Sequence, residues 1–204
     1  SEGERAALEL ARSELAECCD GTVRVEPFPV AVRAFSSQQA VAGVFALSAV
    51  VIFFFQPLLA AILDLVAILV LYFQLIRYRL LLDPFFAKGV SANVYGSIKP
   101  KGPVRRRIIV SGHVDAASEF RFNYLVPKLF PIVTGLSLAG IAAGVLMHWG
   151  GAILWFISSD SVLLDKLTLI QTCVIPFIIL GGMFNKRDQI VPGANDNLSG
   201  TFMV

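Results

Sequence analysis

Charged side chains are scarce in this chain: they make up 16% of its 204 residues, 17 basic against 15 acidic, for a net charge of +2. So small an excess gives no footing to a nucleic-acid partner, and the arginines are not interleaved with aromatics in any pattern that binds RNA or DNA. Cysteine is scarcer still. Three residues build no disulfide framework; Cys18 and Cys19 are adjacent, and neighbouring cysteines rarely meet the geometry of a bridge with each other. Cys173 sits in an apolar run. All three read as reduced, structural thiols, and no second pair exists to complete a metal site with Cys18 and Cys19. No basic stretch followed by an apolar leader is visible, so no signal peptide can be seen in these residues.

What the chain has in place of charge is hydrocarbon. Apolar residues make up 56% and include 16 phenylalanines, and the mean hydropathy is +0.72. These values lie on the membrane side of globular usage. Four apolar runs stand out, at Ala40–Phe55, Leu58–Ile76, Leu129–Met147 and Val162–Met183, and they pair into two hairpins, 40–82 and 129–183. The first turns near Gln56-Pro57. The second turns through a stretch that holds His148-Trp149-Gly150-Gly151, Trp155 and Ser158-Ser159-Asp160-Ser161, the composition of an interfacial loop with an aromatic anchor. His148 then reads as an interface histidine, across the membrane from His113. Asp64, inside the second run, is costly if it faces lipid and should face a helix partner or water. As one acid without an intramembrane partner it makes a poor relay. Gly135, Gly140 and Gly144 permit close helix packing, the latter two as a small-xxx-small pair.

Outside these runs the patterning is that of a soluble sheet-and-helix protein. Ser1-Glu2-Gly3-Glu4 has capping-box spacing, and Leu8, Ala11, Leu15 and Cys18 follow at helical intervals until Asp20-Gly21 stops the helix. Thr22–Glu26 alternates as a strand that Pro27 and Pro29 should end. Ser91–Ile98 reads as a second strand, the Lys99–Pro103 segment as a turn, and Arg107–Val110 as a buried strand delivering His113 to its carboxyl end, where ligands gather in α/β sheets. The Arg105-Arg106-Arg107 triplet is a solvated strand start or a contact with the membrane surface.

Two motifs carry chemistry. In Ser111-Gly112-His113-Val114-Asp115-Ala116 an imidazole suits zinc, and an extended backbone would put Asp115 on the same face, ready to accept the second ring N–H. In Val191-Pro192-Gly193-Ala194-Asn195-Asp196-Asn197-Leu198-Ser199-Gly200 a carboxylate sits between glycines on backbone free to take unusual conformations. A short acid so held can bridge two cations. Together, in this order, the motifs resemble the co-catalytic di-zinc aminopeptidases, the family of the secreted bacterial leucyl aminopeptidases and of glutamate carboxypeptidase. The resemblance implies that His113 is a zinc ligand, that Asp115 orients it, and that Asp196 bridges two zinc ions. It also calls for a Glu-Glu pair, a further Asp and a further His downstream, and no Glu-Glu pair occurs in these residues. The long apolar connection from Ala116 to Asn195 departs from the family's short loop and reads as an insertion.

The expected fold is therefore α/β: part of a three-layer zinc-peptidase domain interrupted by two transmembrane hairpins, about four membrane helices in all. The segments are an N-terminal helix and strand (1–35), a membrane hairpin (36–83), peptidase-like strands with His-x-Asp (84–125), a second hairpin (126–184) and the bridging-Asp motif (185–204). Two hairpins return the chain to one side each time, and Arg33, Arg77, Arg79, Lys88, Arg121, Lys128, Lys186 and Arg187 flank that side against Lys166 on the other. The positive-inside rule puts the peptidase-like segments in the cytoplasm of a multi-pass membrane protein. The expected function is zinc-dependent exopeptidase hydrolysis of peptide substrates, this chain being the N-terminal part and inactive alone, with homo-oligomer formation left open. The alternative is a non-catalytic membrane scaffold or binding protein with a degenerate peptidase-like module; a transporter is weakened by having one clear intramembrane charge.

Overall fold

The computed structural model describes residues 2–115, 118–157, 161–182 and 185–190. In chain order the elements are helix α1 (Glu2–Cys18), strand β1 (Arg24–Val30), helix α2 (Val32–Phe53), helix α3 (Pro57–Leu71) extended by a π-helical turn over Tyr72–Ile76, and strand β2 (Gly89–Tyr95). After these come strand β3 (Ser118–Phe120), the short helix α4 (Arg121–Leu125), helix α5 (Phe130–Ile157), helix α6 (Ser161–Gln171), a 3-10 turn over Thr172–Val174, helix α7 (Ile175–Gly182) and strand β4 (Asn185–Ile190). The described chain divides into two compact units, one drawn from residues 2–30, 88–119 and 188–190, the other from Ala31–Ala87 and Phe120–Arg187.

In the first unit β1 and β2 pair antiparallel from Arg24↔Tyr95 to Val30↔Gly89. Pro27 and Pro29 lie inside β1 rather than ending it. They are spaced by two residues, so both missing N–H groups fall on one edge, and β1 has β2 as its one neighbour in that sheet, which leaves the other edge without a ladder to break. Helix α1 packs on β2, with Leu8, Ala11 and Leu15 half-buried along it. Cys18, expected on that face, is exposed. The turn after α1 is stapled to the end of β2: Gly21 donates its N–H to Ser97 O at 2.9 Å, and Asp20 Oδ1 accepts from the Lys99 N–H at 2.8 Å. A Cβ on Gly21 would lie 2.2 Å from that same carbonyl, so glycine is required here. Ser1 of the expected capping box lies outside the described residues; its partner Glu4 accepts from the Ser91 hydroxyl instead.

Residues 103–115 form no regular element. The expected strand at Arg107–Val110 is not seen, and Ile108, Ile109 and Val110 are 86%, 91% and 62% exposed. A strand needs a neighbour to take its N–H and C=O groups, and no described strand lies beside this segment. Ser118–Phe120 and Asn185–Ile190 form a second two-stranded sheet. The structure is mostly helical, and a three-layer α/β peptidase fold is not what it shows.

The second unit contains four helical stretches long and apolar enough to cross a membrane: Val32–Phe53, Pro57–Ile76, Phe130–Ile157 and Val162–Gly181. Their packing is inverted relative to a water-soluble bundle. Helix α3 buries Pro57, Ala60, Ala61, Asp64, Ala67 and Val70 while Leu58, Leu59, Ile62, Leu65, Ile68 and Leu69 face outward. Small residues let backbones approach, and large apolar ones are left for lipid. Helix α2 meets α3 through Ala49, Phe53 and Ala60; Val50 packs on Val174 and Ile178.

Two boundaries differ from the hydropathy reading. Helix α2 starts at Val32 rather than near Ala40, because Ser37 and Gln38 bury inside the helix despite their polarity. Helix α5 runs unbroken to Ile157, so His148, Trp149 and Trp155 are helical and do not form an interfacial loop. The last stretch is interrupted by the 3-10 turn because Pro176 has no N–H and its ring collides with the carbonyl of Thr172. Gly140 and Gly144 do pack closely, against Phe177 and Val174, whereas Gly135 faces open space.

Candidate functional site

His113 Nδ1 and Asp115 Oδ1 lie 3.1 Å apart, with both side chains largely exposed. The i, i+2 contact is what extended backbone yields, since alternate side chains share a face. Asp196, with the whole Val191–Gly200 motif, lies outside the described residues. Among the described residues no group of three or more His, Cys, Asp or Glu side chains could hold a metal ion.

A buried polar cluster lies elsewhere, among the apolar helices, and draws one group from each of α2, α3, α5 and α6. Asp64, His148 and Gln171 are 3%, 2% and 0% exposed. His148 Nδ1 lies 2.7 Å from Asp64 Oδ2 and His148 Nε2 lies 2.9 Å from Gln171 Oε1. Gln171 Nε2 donates to the Val50 carbonyl at 3.1 Å. Phe53 covers the imidazole, ring centroids 5.0 Å apart and tilted by 32°, and it can do so because position 151 is glycine: a Cβ there would stand 2.3 Å from the Phe53 ring.

The Val50 carbonyl is available for a reason local to α2. It is among the last four carbonyls of the helix, which have no intrahelical donor to count on. The Phe54 N–H that would serve it bonds Val51 O instead, at 3.4 Å, as the helix tightens into its turn. Gln171 supplies the missing donor.

Asp64 faces a helix partner, as its cost in lipid requires, but that partner is His148, which the sequence placed at the interface across the membrane from His113; this placement, and with it the view that Asp64 has no ionisable partner inside the membrane, is overturned. The signal that could have joined them was the absence of any proline between Pro131 and Ile157. Without one α5 continues past Met147 and carries His148 inward. A smaller cluster closes the first hairpin: buried Gln74 accepts the Leu82 N–H at 3.1 Å and its amide nitrogen lies 3.4 Å from Asp83 Oδ1.

Neither a family model, nor a curated protein, nor a solved structure matches this chain.

Proposed function

We propose that this chain carries part of the site of a zinc-dependent exopeptidase of the di-zinc aminopeptidase type, within a multi-pass membrane protein whose peptidase-like segments lie on the cytoplasmic side. The observation that supports it is the His113–Asp115 pair at 3.1 Å. A carboxylate that accepts the Nδ1–H leaves the Nε2 lone pair of fixed direction, the second-shell arrangement common to metal-binding histidines. An imidazole together with short carboxylates is a donor set that suits zinc.

On this reading His113 and Asp196 would hold zinc, with Asp196 shared between two ions and Asp115 keeping the His113 ring in its tautomer and orientation. Zinc, when bound, makes a water acidic enough to act near neutral pH and polarises a peptide carbonyl. The glutamate pair that the family uses beside that water is not among these residues. The 204-residue chain should therefore bind zinc weakly and turn over no peptide.

In a longer chain supplying Glu-Glu, Asp and His, Asp196→Asn should cost far more zinc and activity than Asp115→Asn. A neutral amide cannot offset the repulsion of two cations, while an outer-shell change costs about 10–100-fold. Zinc stoichiometry and peptide-amide hydrolysis measured on both variants decide the matter. An Asp196 variant with two zincs and near-normal rate, beside an Asp115 variant that has lost both, would show the roles to be wrongly assigned.

A non-catalytic membrane scaffold is the second reading. It is favoured by the exposed, irregular course of residues 103–115, and peptidase activity by the longer chain would remove it.

A further inference from the structure

We propose that Asp64, His148 and Gln171 form an intramembrane proton-binding site, holding one proton between Asp64 Oδ2 and His148 Nδ1 and latching all four spans together. Val50 O can only accept, so the group 3.1 Å away must be the Gln171 NH2. That fixes the amide, and the oxygen that faces His148 at 2.9 Å is then an acceptor. His148 Nε2 must carry a hydrogen. One proton remains to be placed across the 2.7 Å contact between Nδ1 and Oδ2. With it on nitrogen the pair is imidazolium and carboxylate; with it on oxygen the pair is imidazole and carboxylic acid. Either way the cluster is neutral. Without it, two acceptors would face each other and a lone negative charge would sit in hydrocarbon, where charge is expensive.

The ligand is a proton rather than a metal ion because the donors do not converge: the two ring nitrogens face partners on opposite sides of the imidazole. No other titratable group described on the packed helices competes for it. Arg33 on α2, Asp165 and Lys166 on α6, and Cys173 in the 3-10 turn are all exposed, as is Tyr72 beyond α3, and α5 and α7 contribute none besides His148. Along α5, Gly140 and Gly144 are packed closely under Phe177 and Val174.

The site has a readable linkage. In the unfolded chain the two groups titrate near ~3.9 and ~6.5. Between those values folded and unfolded states hold the same number of protons, and the site contributes no pH dependence. Above ~6.5 the unfolded histidine has released its proton to water while the folded pair has kept its own. Folding is then opposed by rising pH, and the unfolding equilibrium constant should climb about tenfold per pH unit.

The test is reversible unfolding of the purified full chain in mixed micelles between about pH 6.5 and about pH 8.5, beside the Asp64→Asn variant, which is neutral without the proton. The native chain is expected to show a slope of one proton, and to release one proton on unfolding into weakly buffered solution at pH 8. The variant should show neither. Equal slopes in the two chains would overturn the proposal. A second measurement does not depend on the variant folding. The chain has two histidines, so His113→Gln leaves His148 alone in a nitrogen-15 histidine spectrum. It should report hydrogen on Nε2 at every pH where the chain is folded, and a bare Nε2 would overturn the assignment.

Discussion

Replacing His148 by alanine tests how the buried cluster is held, and the expected loss can be worked from the contacts. Asp64 is 3% exposed and its Oδ2 has the imidazole at 2.7 Å. Once the ring is gone the carboxylate has two courses. It can stay ionised and unpaired, which for a buried pair broken on one side costs about 3–5 kcal/mol. Or it can take up a proton and give up that charge. The Gln171 oxygen left without its donor adds about 1–3 kcal/mol, and the lost Phe53 ring contact adds about 0.5–1.5 kcal/mol. A total of 5 kcal/mol or more, on the order of the whole stability of many domains, should unfold much of the population. Adding Asp64→Asn to the alanine variant removes the buried charge and should return most of the cost assigned to it, roughly 3 kcal/mol. Detergent-unfolding curves read by the fluorescence of Trp149 and Trp155 would supply both numbers. An alanine variant within ~1 kcal/mol of native, or a double variant no better than the single, would refute the reasoning, because each would mean that the Asp64 carboxylate does not depend on the imidazole.

Three further outcomes follow from separate contacts. Gly151→Ala should destabilise by about 1–3 kcal/mol, since its Cβ would stand 2.3 Å from Phe53. Gly150→Ala, with nothing within 4 Å, should be neutral or gain up to ~1 kcal/mol of helix propensity in the same assay. Equal effects would show that Phe53 does not fill that gap. The Ser91 hydroxyl holds the Glu4 carboxyl below its ordinary 4.5, so this contact stabilises the fold above that value and is lost as pH falls through the lowered one. Ser91→Ala should move the Glu4 carbon-13 titration back toward 4.5, and an unmoved curve would mean that the hydroxyl is not the cause. In a chain whose native cysteines are replaced by serine, single cysteines introduced as Phe55→Cys and Trp155→Cys should label from one face of oriented vesicles and Lys101→Cys from the other. Labelling of positions 55 and 101 together would sink the hairpin topology.

The apolar helices were legible because hydropathy over a span is a sum, and a sum tolerates single polar residues. Their ends were not, because a helix ends where its backbone bonding ends, whatever its side chains prefer. At Arg33, Ser36, Ser37 and Gln38 the polar letters hid eight more residues of α2. At His148–Gly151 two glycines cost only about 1 kcal/mol each and do not break a helix already held on both sides. That second misreading concealed the cluster. With α5 running to Ile157, Asp64 lies about 10 Å along its helix from Pro57 and His148 about 13 Å along its own from Ile157, comparable depths at 1.5 Å per residue. Ending α5 at Met147 put the two at different levels. In the other unit the β1–β2 pair was visible in the alternation of Val23 and Val25 and in Ser91–Tyr95, and its extension through Pro27 and Pro29 was not, because whether a proline is tolerated depends on which edge of the strand is paired. The His113–Asp115 contact was legible from spacing alone. The strand expected to deliver it was not formed, for an apolar run specifies burial without naming the partner.

The central functional claim is that His113 and Asp196 hold the same zinc, and equilibrium zinc binding by four chains tests it most directly: native, His113→Ala, Asp196→Ala and the double variant. The native chain should bind zinc weakly, each single variant should lose most of that binding, and the double variant should be no worse than either single, since removing one of two ligands to a common ion leaves the other nothing to act on. Losses that add, or a native chain whose zinc binding neither substitution alters, would contradict it.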